Sequence, residues 1–172
     1  ISELANPDSR REVKGAKNPE DFVKDYPLLP YHRYELPGVL FSTRSKGRTG
    51  GTPRGMIDVT HKLIKDVANK EVGRVPTIPE IYEGCGDTVG GDTEQSHRLR
   101  QANENYEAKG GIKPKEVLQT ILFFQEIPGI KRSLSNITRG LIDDVTVSIR
   151  EKKPHVKELL EDLEKGKEVI KG

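Results

Sequence analysis

The sequence predicts a mainly α protein with minor β, built as a multi-helix module with strand confined to short pieces near 75–77 and 169–170. Three observations carry this. Apolar residues recur at helical spacing over three long segments. With 17 Gly and 11 Pro, the 172-residue chain is cut into short elements and several loops. The hydrophobic and charged fractions are both 33%, so the core must be thin and spread over helices rather than one large sheet.

Residues 1–17 are polar, carry Arg10, Arg11, Lys14 and Lys17, and show no periodic apolar face, so they read as a linker or a frayed segment. Asn18-Pro19-Glu20-Asp21 starts a short helix: Asn18 caps, Pro19 occupies the first turn, and two acids complement the dipole. Phe22 and Val23 are its apolar residues, and Pro27 stops it. Leu28-Leu29-Pro30-Tyr31 forms an apolar corner. Residues 31–42 read as helix again, with a start or kink near Pro37 and with Leu40 and Phe41 inward.

A glycine-rich basic loop, 42–55, then runs into a helix over about 53–69. Thr52 is its N-cap and Pro53 suits its first turn. Met56, Val59, Leu63, Ile64 and Val67 give its apolar stripe. Residues 75–78 read as a short extended segment, followed by a brief helix at Pro79-Glu80-Ile81-Tyr82. A second glycine-rich loop, 84–91, lacks basic residues, so the charge of the first does not follow from glycine content alone.

Asp92-Thr93-Glu94-Gln95 has the form of a capping box. The helix it starts is expected to reach about Lys109, with Gly110 as its stop. It is polar almost all round, with Leu99, Ala102 and Tyr106 as its contact stripe. Lys113-Pro114 opens the next helix, whose broad apolar face is Val117, Leu118, Ile121, Leu122 and Phe124. Pro128-Gly129 turns the chain. Ser133 begins a helix expected to run to about Ile149, with Leu134, Ile137, Leu141 and Val145 on one side. Pro154 is expected to open the final helix, carrying Val156, Leu159, Leu160 and Leu163, with both Leu159 and Leu160 buried. Gly166 ends it, and Val169-Ile170 is strand-like.

The last three helices, about 114–126, 134–149 and 155–165, with the terminal strand piece, resemble a winged-helix arrangement. The organisation reads as three parts: the polar segment 1–17, a helical module 18–91 holding the basic loop, and a winged-helix-like module 92–172. In a DNA reader the third helix would face the major groove. Here it carries Glu158, Glu161, Asp162 and Glu164, which would repel phosphate, so a structural or protein-contact role is favoured.

The loop 42–55 is the main candidate site. Backbone N–H groups, a helix N-terminus and the side chains of Arg44, Lys46, Arg48, Thr52 and Arg54 together favour an anion, nucleic-acid phosphate included. It is not a phosphate loop of the G-x-x-x-x-G-K-[ST] type, because no glycine here precedes Lys-Ser or Lys-Thr. The alternative is a solvated linker. A net charge of +2 is too small to imply nucleic-acid binding by itself.

Cys85 is the sole cysteine, so no intrachain disulfide can form, and a reducing, cytoplasmic setting follows. No apolar run approaches transmembrane length, so no membrane contact is expected. The opening Ile1 and the abrupt end at Gly172 suggest a piece of a larger polypeptide. His32, His61, His97 and His155 are scattered and read as surface or helix-flank residues. Cys85, flanked by glycines and without a local base, reads as a flexible ordinary thiol. Asp143-Asp144 reads as a solvated helix face. No catalytic site, metal site or cofactor is expected.

Two phrases carry a family likeness. The run Phe22-Val23-Lys24-Asp25-Tyr26-Pro27-Leu28-Leu29-Pro30-Tyr31-His32 resembles the Y-P-[FL]-[LV]-P-Y segment of the large ATPases of BREX-type phage-defence systems, the PglY/BrxC group. Thr52-Pro53-Arg54-Gly55-Met56-Ile57 resembles the helix start that follows in that group, and residues 130–139 are similar to a downstream helical stretch. The resemblance implies a non-catalytic regulatory or coupling module of an AAA+-type ATPase. It would contact other domains of its parent, defence-system proteins, or DNA phosphates weakly and without sequence preference. The nucleotide-binding core would lie elsewhere, and no catalytic residue of the group maps onto this chain. The alternative is an independent winged-helix nucleic-acid-binding domain of a transcription regulator. The two differ in where positive charge gathers: at Arg44 to Arg54, or on the helix containing Lys157 and Lys165.

Overall fold

Asn18 caps the first helix as its sequence demands: its side-chain oxygen accepts from the Asp21 N–H at 2.8 Å. The computed structural model describes residues 8, 18–29, 32, 53–85, 93–127 and 129–168. Among them are seven α-helices: α1 (Pro19–Asp25), α2 (Pro53–Ala68), α3 (Ile78–Cys85), α4 (Thr93–Asn105), α5 (Pro114–Gln125), α6 (Leu134–Gly140) and α7 (Ile149–Lys165). The protein is mainly α. Among the described residues, β pairing is limited to two isolated bridges, Arg74 with Asp144 and Lys109 with Ile112. None of these helices is long and apolar enough to cross a membrane.

α1 ends where Tyr26 leaves the helical region ahead of the cis Tyr26–Pro27 bond. Of its two apolar residues, Phe22 is buried and Val23 is 71% exposed. Adjacent helical residues point about 100° apart, so a seven-residue helix on a thin core buries one of them. Leu28 and Leu29 form the buried corner, and the Tyr26 hydroxyl accepts from the Gly73 N–H at 3.0 Å. In α2 the buried stripe is Val59, Leu63 and Val67, while Ile64 is 40% exposed. The region expected as helix at 31–42 and the cap Thr52 lie outside the described residues, as do both glycine-rich loops for most of their length.

The extended piece after α2 is real but minimal. Val75 N–H donates to the Asp143 carbonyl at 2.8 Å and Val145 N–H to the Gly73 carbonyl at 3.0 Å. The strand-like tail at 169–170 lies outside the described residues.

α4 stops at Asn105, short of the expected Lys109. Gly110 is not its cap. Gly110 and Gly111, at φ +56° and +81°, are the centre of a tight turn closed by reciprocal bonds between Lys109 and Ile112. Consecutive glycines make that turn cheap, so it wins over another helical turn. Leu99 and Ala102 are buried and Tyr106 packs on the core, as the stripe predicts.

α5 is the hub, packing on α3, α4, α6 and α7. Its buried residues include Phe123, which the apolar pattern omits, beside Val117, Leu118 and Phe124. One continuous cluster of buried side chains joins Phe22 near the start to Leu163 near the end.

The expected helix 133–149 is instead two elements. α6 ends at Gly140, and Ile149 is the first residue of α7, in which Pro154 is internal rather than initial. The reason is local side-chain chemistry. The Asp144 carboxylate accepts from the Thr146 N–H and hydroxyl at 2.7 and 2.6 Å, a turn that competes with helix. Ser148 then caps α7 by accepting from the Arg150 N–H at 3.2 Å. Asp143 and Asp144 therefore lie in a loop and not on a helix face.

Candidate functional site

Of the anion-binding residues expected from the sequence, only Arg54 lies among the described residues. It is exposed in the first turn of α2. Arg44, Lys46, Arg48 and Thr52 lie outside them.

The polar chemistry inside the fold ties elements together. Arg74 reaches Glu80 at the start of α3 and Asp143 in the loop before α7, the latter at 3.7 Å. The Glu83 carboxylate accepts from Lys115 Nζ at 2.8 Å and Gln119 Nε2 at 3.2 Å, linking α3 to α5. The Lys115 bond first, opposed by burial and aided by the Gln119 bond, holds the Glu83 carboxyl below its ordinary value.

Two sequence expectations are corrected here. His32 is buried, and that burial lowers its pKa to about 3, so it is a neutral core imidazole and not a surface residue. Cys85 is buried at the end of α3, and burial pushes its thiol up to about 12. A glycine-flanked cysteine is mobile only if its helix does not dock; here α3 packs on α2 and α5. A thiol held protonated is a poor nucleophile. Beside it, burial first and Cys85 second raise the Tyr82 phenol to about 12. No group of three or more His, Cys, Asp or Glu side chains among the described residues could hold a metal ion.

Among the described residues, a groove of about 1210 Å³ lies between α4, α5, the turn before α6, and α7. Its floor is apolar. Leu99 and Leu118 are buried at its base, while Ile121, Leu122, Leu134 and Leu160 are half-buried and face it. Leu160, expected in the core with Leu159, belongs to this groove because consecutive residues of α7 diverge: Leu159 is 0% exposed and Leu160 is not buried.

The rim is charged and largely self-paired. Arg98 binds Glu94 at 2.9 Å and Lys157 meets Glu161 at 3.7 Å. Lys131 is taken by Asp8 at 3.1 Å. That leaves Glu164 and Glu168 at one end and Arg132 at another without an ion pair among the described residues. An open trough of this size exceeds the usual small-ligand pocket and suits a peptide segment. Sequence periodicity already showed the leucines and isoleucines; it could not show that the half-buried ones share one concavity, because that depends on how α4, α5 and α7 cross.

No family model, no curated protein and no solved structure matches this chain.

Proposed function

We propose that this chain is a non-catalytic coupling module of a cytoplasmic BREX-type phage-defence ATPase, and that it works by docking a helix of a partner protein or of another domain of its parent. One observation carries the docking role: the groove whose floor is Ile121, Leu122, Leu134 and Leu160 and whose rim keeps Glu164 and Glu168 unpaired among the described residues. The occupant that fits is an amphipathic helix. Its apolar residues at i, i+3, i+4 and i+7 would cover the floor, and a Lys or Arg would answer the two glutamates. Support for the parent ATPase comes from the runs at 26–31 and 52–57.

The mutual packing of α5, α6 and α7 supports a winged-helix-like unit at the end of the chain. The independent DNA-reading regulator is disfavoured. On α7, Lys157 pairs with Glu161 and Lys165 with Asp162 at 3.6 Å, so these two cations each sit beside a carboxylate. DNA contact, where it occurs, belongs to the loop that ends at Arg54.

The test places Leu160→Asp in the full-length gene and measures phage resistance by efficiency of plating. Loss of resistance is expected while this chain remains folded and unfolds cooperatively, with only a modest fall in melting temperature. Wild-type resistance in a stably folded Leu160→Asp protein would refute the docking role.

A further inference from the structure

Asn136, the third residue of α6, is fully buried, and its side-chain amide uses all four of its hydrogen-bonding sites. Its Nδ2 donates to the carbonyls of Asp8 and Lys131 at 2.6 and 2.7 Å. Its Oδ1 accepts from the Asp8 N–H at 2.9 Å and from Arg139 Nη1 at 2.7 Å. That pattern admits one orientation of the amide, since a flip would set donors against donors. A single side chain thus holds both main-chain groups of one residue, as a neighbouring strand does for an extended residue.

Lys131 completes the grip. Its N–H donates to the Asp8 carbonyl at 3.3 Å, and its Nζ donates to both carboxylate oxygens at 3.1 and 3.3 Å. The main-chain bonds accept any residue that keeps its N–H, whereas the Nζ contacts select a carboxylate. Half of the capacity of Asn136 goes to a residue 128 positions away, and its departure would leave a buried donor and acceptor unmet.

We propose that Asn136 and Lys131 form a clamp for a single aspartate of a peptide, gripping its main chain and its carboxylate together, filled in cis by Asp8 and exchangeable with an aspartate-bearing segment in trans. The tether gives the cis segment a high effective concentration, so it governs access to the clamp. This holds whether or not the groove takes a partner.

The test uses the full chain carrying Asp8→Pro, which removes the N–H and the carboxylate, and a fluorescent peptide of residues 1–17 as the probe. The variant is expected to bind the peptide saturably and about tenfold or more tighter than the unaltered chain does. A peptide carrying Asp8→Lys should bind about tenfold more weakly. The chain with Asp8→Lys serves as a second acceptor should the proline variant fold poorly. Adding Lys131→Ala, at an exposed position, should erase the preference for the Asp8 peptide over its Asp8→Asn form. No binding to either opened chain, or equal binding of the Asp8→Lys peptide, overturns the clamp.

Discussion

Tyr106 lies across Gly166: a Cβ there would overlap the Tyr106 hydroxyl and sit 2.7 Å from Cζ, so any side chain at 166 must push the ring aside. This contact ties the end of α4 to the end of α7. Gly166 has φ −77°, a value any residue adopts, so its requirement for glycine is purely steric. Gly111 is the reverse case, with open space around it but φ +81°.

Gly166→Ala should therefore destabilise the fold by about 1–3 kcal/mol through overpacking, and adding Tyr106→Phe should recover part of it. Gly111→Ala should cost about 1 kcal/mol through backbone strain alone, with no rescue from any neighbour. Urea unfolding midpoints distinguish the two. A neutral Gly166→Ala would mean that α4 and α7 are not pinned there.

Leu159 and Leu160 are adjacent yet should behave differently. Leu159→Ala empties a fully buried site and should cost about 2–5 kcal/mol. Leu160→Ala, on the groove floor, should cost less than about 1.5 kcal/mol. Equal losses would place both side chains in the core and remove the groove.

Stability should fall with acid through His32. Its folded pKa of about 3 lies below the unfolded value of 6.5, so the unfolded chain binds the extra proton. The contribution is complete above pH 6.5 and is lost as pH drops toward 3, at about 1.4 kcal/mol per pH unit. Glu83 and Asp144, both lowered, by Lys115 and Thr146 hydrogen bonds respectively, add their losses only below their ordinary values of 4.5 and 3.8. Chemical denaturation at pH 7, 6 and 5 should show the slope, and His32→Asn should flatten it. A flat profile in the unaltered chain contradicts a buried neutral His32.

Helix existence was legible in the residues because caps and periodicity are local: Asn18 and Pro19 behave as written, and the α5 face does so at Val117, Leu118 and Phe124 but not at Phe123. The splitting of 133–149 was not. Leu141 and Val145 keep helical spacing, and what breaks the helix is the bonding of Asp144 to Thr146 and the capping by Ser148. The floor of the groove was legible residue by residue and illegible as a site. The Asn136 grip on Asp8 was invisible, since no local pattern links residues 128 apart.

If Arg44, Lys46, Arg48 and Arg54 contact phosphates, duplex DNA should bind weakly, with affinity falling steeply as salt rises. Replacing any two with Ala should lower the log–log salt slope by about 1.8, at about 0.9 per contact. Lys157→Ala and Lys165→Ala should matter less, because both lysines are paired on α7. Fluorescence anisotropy across a salt series checks this; binding lost only in the α7 variants would favour the DNA-reading regulator.

Helix docking in the groove is tested most directly by photo-crosslinking from position 160 of the full-length protein in cells, with position 72, where Val72 is 95% exposed, as the control. The expected result is an adduct that maps by mass spectrometry to one amphipathic segment of the parent or of a protein from the same defence locus, bearing a Lys or Arg placed to meet Glu164 or Glu168. Adducts at position 160 no more frequent or specific than those at position 72 would contradict it.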